Sequence, residues 1–452
     1  MAERFKIVDR DTQYLFPPSV QDWLPESHLA RFVVEVVDGL NLETLNSSYR
    51  GRGSEAFPPA MMVALLFYGY STGVFSSRKL ERATYDSVAF RYITANTHPD
   101  HDTIATFRRR FMEELSPAFT RILEMAQAMG LLKVGTVSLD GTKVKASASK
   151  HKALSYGYAQ RLETQLQKEV SKLMSLAEAA DQNEKPDGMD IPSELERREA
   201  RLAAIAQAKA EIERRAQERY ERERADYKAR CVKRQARAKK TGKKPRGREP
   251  KPPEPGPRNR DQINLTDRDS RIMPASGKSF VQAYNAQAAV DTKSLLVLAN
   301  GVSQNPNDRR ELKPMLDRLE QLPESLGKTE NLLADAGYFS EANVVDCAQR
   351  KITPYIACGR EGHNPSLEER FQKPPPLPDS ADPVATMKHR LKTPTGKALY
   401  ALRKSTVEPV FGIIKQVLGF RQFLLRGLDA VEKEWNLVCM AWNLRRMHAL
   451  KT

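Results

Sequence analysis

Apolar positions recur at helical spacing through most of the first 130 residues. Ser27 to Leu40 carries them three and four apart. Pro58-Pro59 then introduces the apolar run Ala60 to Tyr70, with proline where a helix can begin, and Ser76 to Asp86 is amphipathic. Asp102 and Thr103 are candidate caps for a further helix bearing Arg108, Arg109 and Arg110. At Val134 the pattern changes. VGTVSLDG reads as a short strand closed by an Asp140-Gly141 turn, and Lys143 to Ser149 as its hairpin partner. Leu162 to Lys240 is rich in Glu, Arg, Lys, Ala and Gln, interrupted at Lys185 to Pro192. That composition predicts long helices laced by charges four apart. Lys244 to Arg260 is Pro-rich and predicts a disordered linker.

Strand and helix signals resume after Asn264. Phe280–Asp291 and Ser294–Ser303 read as strands, Asp308–Leu322 as a helix and Asn331–Ser340 as a buried strand ending in a glycine turn. Glu341–Arg350 reads as a helix, Ile352–Gly359 as a strand, 360–395 as Pro-rich loop and Gly396–Leu450 as mostly helical. With the charged insertion set aside, this order predicts an α/β layer fold with a mixed sheet. An antiparallel meander feeding βα units fits a ribonuclease-H-like core, among other mixed α/β folds. The expected organisation is an N-terminal all-helical domain over 1–130, a core over 131–150 and 263–452, and a long charged helical insertion over 151–262.

The 452 residues leave room for two or three domains, and no run of 18 apolar residues offers a transmembrane helix. The start, MAERFKIVDRD, lacks the apolar segment of a secretory signal. The net charge of +16 points to a polyanionic partner. Short helices ending in a basic one suggest a DNA-binding module, with Arg108 and Arg109 as contacts; a plain helical bundle with its arginines in water fits equally well. Lys228 to Arg248 holds eleven Lys or Arg and no acid, which favours a phosphate-binding arm including Lys239 and Lys240 over a solvated coiled-coil hairpin. No apolar face accompanies this run, so a membrane surface is not the expected partner. Cys231, Cys347, Cys358 and Cys439 form no CxxC pair, and the seven histidines do not pair at ligand spacing, which argues against structural zinc and a disulfide framework.

Two acids follow apolar strand segments: Asp140 before Gly141, and Asp335 before Ala336-Gly337. Sites in open α/β sheets form at the carboxyl ends of strands. Acids side by side there repel unless cations compensate them, and Mg²⁺ favours carboxylate oxygen. A pair of such ions is the usual apparatus for phosphodiester displacement. The competing reading makes both acids ordinary turn residues. A third ligand is sought on Thr406–Phe420, where Val407, Val410, Phe411, Ile414 and Leu418 form one stripe beside Glu408. Lys415 shares the Glu408 face and can meet a phosphate. Pro409 predicts that the helix starts or kinks there.

These segments resemble the DDE transposases of bacterial insertion sequences, most closely the IS1182 group within the IS4/IS5-like assemblage. The resemblance rests on VSLDGTKVKASAS, DRDSRIM, FVQAYNAQAAVD, LLADAGYFSEANV, YALRKSTVEPVFGIIKQVLGFRQFLLRG and EWNLVCMAWNLRRM. PPAMMVALLFYGY and HDTIATFRRRF resemble the helical domain preceding such cores. It implies a ribonuclease-H-like core in which Asp140, Asp335 and Glu408 hold two Mg²⁺ ions, with Mn²⁺ able to substitute. It also implies cleavage at terminal inverted repeats, transfer of the 3′-hydroxyl ends into target DNA, and a homodimer in the synaptic complex, in the bacterial cytoplasm at the nucleoid. A metal-dependent nuclease without strand transfer and a domesticated DNA-binding relative are the alternatives. Lys143, Tyr400, Lys415 and either Arg403 or Lys404 are the expected DNA contacts of the core. The related signature places Arg and Glu four residues apart, whereas here Arg403 and Glu408 are five apart. On a regular helix that puts Lys404 on the Glu408 face instead.

Overall fold

The computed structural model describes residues 19–49, 56–180, 191–242, 247–275, 279–359, 376 and 382–451. The chain divides into two compact units. One comprises Met1–Ala146 with Met273–Thr452, the other Ser147–Ile272.

The first unit is built on a mixed sheet of Val134–Lys145 (β1), Phe280–Asp291 (β2), Val297–Ser303 (β3), Gly327–Ala334 (β4) and Thr353–Ile356 (β5). The order is β3-β2-β1-β4-β5, and the short strand Arg271–Pro274 also joins β2. β1 to β3 form an antiparallel meander, whereas β4 and β5 run parallel to β1. This is the ribonuclease-H-like arrangement. β1 does not turn at Asp140-Gly141, as its dipeptide suggested. It continues to Lys145 because β2 stays paired with it from Val137↔Asp291 to Lys145↔Ala283. A twelve-residue partner strand outweighs a two-residue turn signal.

The helical segment before β1 packs into the same unit. Pro59–Thr72 is buried continuously from Met62 to Ser71, which explains why it is apolar all round. The helix Leu428–Lys451 lies between it and the sheet. Ser71 donates to the Ala441 carbonyl, while Trp435 and Trp442 donate to the Gln287 and Leu295 carbonyls. Asn443 exchanges two bonds with the Val297 backbone. The helix expected near Asp102 is His101–Phe111, and Asp100 is its cap, accepting from the Thr103 amide at 2.8 Å. No single helix among the described residues is long and apolar enough to cross a membrane. All four cysteines are free.

The second unit is a helical hairpin, Tyr156–Ala180 and Ile191–Thr241, closed at its base by a two-stranded ribbon, Ala153–Ser155 with Gln262–Asn264. Leu162, Leu166, Ile205, Ala208 and Ile212 form its apolar seam. Lys209–Glu163 at 2.6 Å and Arg198–Glu169 at 2.9 Å tie the helices across it. The break expected at Lys185–Pro192 falls largely on 181–190, outside the described residues. From Gly247 onward the Pro-rich segment is not a free linker. Arg234 and Arg219 donate to the Gly247 and Gly256 carbonyls, and Arg219 pairs with Asp261 at 2.8 Å, so the segment is laid along the helix. Most of the loop expected over 360–395 is likewise outside the described residues. Its last part is not loop but the helix Pro383–Lys392, capped by Asp382.

Candidate active site

β1 and β4 are parallel neighbours, paired up to Leu139↔Ala334. The next residue in each strand is therefore an aspartate, and Asp140 and Asp335 stand side by side. Asp140 accepts from the Gly141 amide at 2.8 Å. Burial, then the charges of Asp335 and Asp308, push its carboxyl up to about 6, while the Gly141 amide and Arg403 pull the other way. Asp335 caps the turn Ala336–Tyr338, accepting from the Gly337 amide at 2.8 Å. It is a turn residue and a neighbour of Asp140 at once, so the two readings of its position are compatible.

Glu408 comes from the helix Pro394–Gly412, which runs through Pro409 without a break and passes into a π-helical turn, Ile413–Val417. Of the two outcomes expected at Pro409, a start is not what the chain adopts: the helix begins fourteen residues before Glu408. Val407, Val410, Phe411, Ile414 and Leu418 are all buried, and Glu408 beside them keeps its side chain half exposed. Arg403, not Lys404, is the cation beside it. Arg403 Nη2 donates to Glu408 at 2.9 Å and Nη1 to Asp140 at 3.4 Å, whereas Lys404 is exposed. Five residues separate Arg403 from Glu408, but the long guanidinium reaches around the helix toward Asp140. Burial opposes the charge on Arg403, and Tyr400, Asp140, Glu408 and Asp335 more than offset it, so it stays cationic. Its Nε–H is buried without an acceptor.

Lys415 is drawn onto β1. Its ammonium donates to the Thr142 hydroxyl at 2.6 Å and the Lys143 carbonyl at 2.8 Å. Burial and the charge of Lys143 lower its pKa. Lys143 is paired with Asp308 at 3.5 Å. Arg108 does not belong to a DNA-facing surface. It is buried, donating to the Tyr70 hydroxyl at 3.1 Å and the Phe75 carbonyl at 2.9 Å, while Arg109 stays at the surface. Arg108 falls on the face of Ile104, Phe107 and Phe111, a helical spacing that the basic run taken by itself does not display. Lys239 and Lys240 are exposed in the last turn of the long hairpin helix.

The residue missed by sequence reasoning is Asp308. Its Oδ1 accepts from Asn285 Nδ2 at 2.7 Å and Gln287 Nε2 at 3.0 Å. One signal for it existed: polar residues at alternate positions 285 and 287 of an otherwise apolar buried strand must find a partner.

Among the described residues no three His, Cys, Asp or Glu side chains stand close enough together to hold a metal ion. The donor chemistry nevertheless fits a hard divalent cation. Asp140 and Asp335 are neighbouring carboxylates whose charges oppose each other, and Glu408 is joined to Asp140 through the Arg403 guanidinium, an all-oxygen acid set of the kind such ions favour.

A family model described as a transposase DDE domain matches residues 256–444, and another, described as transposase domain DUF772, matches residues 18–110. The first spans Asp335 and Glu408 but not Asp140, which the sheet supplies from outside the matched segment. No curated protein and no solved structure matches the chain.

Proposed function

Because the chain belongs to the DDE transposases of bacterial insertion sequences, in the IS1182 group, we propose that Asp140, Asp335 and Glu408 are the catalytic acids of its DNA cleavage and strand transfer. The observation that supports this best is the placement of Asp140 beside Asp335 at the ends of adjacent parallel strands, with Glu408 joined to Asp140 by Arg403. DDE transposases use divalent metal ions. Here two Mg²⁺ ions, replaceable by Mn²⁺, would be held by Asp140, Asp335 and Glu408, and when bound they supply Lewis-acid activation of the attacking oxygen and the scissile phosphate.

The chain's own residues position the reaction. β1 and β4 hold two of the acids at fixed spacing, and the buried stripe of the Pro394–Gly412 helix presents the third. Arg403, with a donor to spare, faces the phosphate being attacked. Lys143 and Lys415 brace the end of β1 beside the DNA path and Tyr400 flanks Arg403; on the second unit, Lys239 and Lys240 are phosphate contacts of their own. In the first step water attacks phosphorus at the element end, its proton is lost to solvent, and the bond to the 3′-oxygen breaks to leave a 3′-hydroxyl. In the second step that hydroxyl attacks a target phosphodiester, forming one phosphorus–oxygen bond as the target's own 3′-oxygen leaves. Phosphodiester number is conserved in this transfer, so no external energy source enters. Two ends held together by a homodimer would keep the cuts paired.

The test is nicking in vitro of a fragment carrying the gene with its native flanks, in Mg²⁺, with 3′-hydroxyl ends mapped to the nucleotide. Paired cuts at inverted repeats, absent in Asp335→Ala, and joined products with a target plasmid are expected. Cuts without joined products would reduce the activity to a nuclease. Binding without cuts in Mg²⁺ or Mn²⁺ would leave a DNA-holding protein.

A further inference from the structure

We propose that Asp308 is a positioning residue for this reaction, fastening the segment that carries Asp140 to the turn that carries Asp335. The inference rests on the reading of Asp140 and Asp335 as the catalytic pair.

Asp308 opens the short 3-10 turn Asp308–Arg310, after β3. Its Oδ1 accepts from Asn285, Gln287 and, at 3.5 Å, Lys143. Asn285 and Gln287 are the β2 partners of Lys143 and Gly141 on β1. The cluster therefore sits on the strand one residue from Asp140. It sits there closely: a Cβ on Gly141 would lie 2.3 Å from Gln287 Nε2, 2.6 Å from Asp308 Oδ1 and 3.0 Å from Asn285 Oδ1.

The same cluster reaches the other acid. Gln287 Oε1 accepts from the hydroxyl of Tyr338, the fully buried last residue of the turn that Asp335 caps. Asp308 Oδ2 lies 3.6 Å from where a Cβ of Gly337 would stand, and Gly337 donates its amide to Asp335. An unbroken set of contacts thus runs from Gly141 through Asp308, Gln287 and Tyr338 to the cap made by Asp335.

A second observation marks the cluster as part of a working site. Asn285 is wholly buried, its Nδ2 is committed to Asp308 and to the Asn305 carbonyl, and its Oδ1 has no hydrogen-bond partner. That oxygen is turned toward Gly141, beside the acids. An unpaired buried acceptor is costly, and native folds retain few of them. The bonds of Asp308 Oδ1 all go to scaffold side chains, which makes its role placement of the acids.

The test is Mn²⁺ binding to the full-length, DNA-free chain, followed by the resonance of free Mn²⁺, with unfolding temperature measured in parallel. Asp308→Ala should weaken Mn²⁺ binding about 10- to 100-fold, the usual effect of losing an outer partner of a metal ligand. Asp308→Asn, whose amide oxygen still accepts from Asn285 and Gln287, should recover most of that loss at similar stability. Wild-type binding by Asp308→Ala, or equal loss in both variants, would overturn the proposal. If Asp308→Ala does not fold, Tyr338→Phe decides, since unchanged Mn²⁺ affinity there breaks the proposed connection. Asp335→Asn separates the two levels. If it binds Mn²⁺ like wild type, the reading of the acids fails; if it loses binding while Asp308→Ala does not, only the role of Asp308 fails.

Discussion

Arg403 spans two acids of the site, 3.4 Å from Asp140 Oδ2 and 2.9 Å from Glu408 Oε1. Its guanidinium is a counter-charge to both acids, and the same group carries a buried N–H with no acceptor. Arg403→Ala should therefore separate two quantities. Nicking should fall about 10- to 100-fold, the worth of one hydrogen bond to a charged group at about 1.5–3 kcal/mol. Mn²⁺ affinity of the DNA-free chain should hold or rise, because a competing cation has gone. Parallel losses in both would show that Arg403 holds the acids in place instead.

A methyl group on Gly141 has nowhere to go. The atoms it would meet, Gln287 Nε2 and Asp308 Oδ1, are locked by their own hydrogen bonds. Gly141→Ala should cost about 1–3 kcal/mol, as overpacking does, and should reduce nicking by more than its stability loss explains. Thermal unfolding and nicking rates on the same preparation check this, and a fully active, equally stable variant would contradict it.

Glu434 is wholly buried. It accepts from the Leu424 and Leu425 amides, both at 3.0 Å, and from the Tyr70 hydroxyl at 3.2 Å, to which Arg108 also donates. Burial raises its carboxyl pKa, partly opposed by the Leu425 amide and Arg108. The folded chain thus binds this proton more tightly than the unfolded one. The resulting stability is fully present below about 4.5 and is lost as pH rises through the raised value. Relative to Glu434→Gln, wild type should gain stability as pH falls from 8 toward 5, read as the difference in unfolding temperature. A difference that does not change with pH would exclude this titration. Glu434→Ala should cost about 1–3 kcal/mol, because it leaves the Leu424 and Leu425 amides and the buried Tyr70 hydroxyl without their acceptor.

Lys239 and Lys240 end a 51-residue helix at its C-terminus, where positive charge also suits the helix dipole. If both meet phosphates, the double alanine variant should lower the slope of log K against log salt by about 1.8, at about 0.9 per contact. Arg108→Ala should instead lower the unfolding temperature and leave that slope unchanged. Gel shifts across a salt series distinguish the two.

The elements most legible in the chain were those whose information is local. The helix Ser77–Asp86 and the buried stripe beside Glu408 follow from periodicity, because burial on one face imposes a period on the side chains, while the strands at Phe280–Asp291 and before Asp335 show as short runs bounded by turn residues. Asp140 and Asp335 were identifiable as candidates from their positions after apolar runs. Their adjacency was not, since it depends on β1 and β4 being parallel neighbours nearly two hundred residues apart in the chain.

What tertiary structure alone decided is non-local in each case. Asp140-Gly141 has the composition of a turn, yet pairing with β2 carries β1 straight through it. Arg108 shares the helix face of Ile104, Phe107 and Phe111, but only the approach of the Tyr70 hydroxyl and the Phe75 carbonyl gives a buried guanidinium its partners there, while Arg109 stays in water. Helical geometry assigned Lys404 to Glu408, while the pull of Asp140 from another strand brought Arg403 there. Asp308 became visible only when Asn285, Gln287 and Lys143 converged on it. Periodicity reports which face of an element is buried; which charges meet across that face is set by the packing of elements distant in the chain.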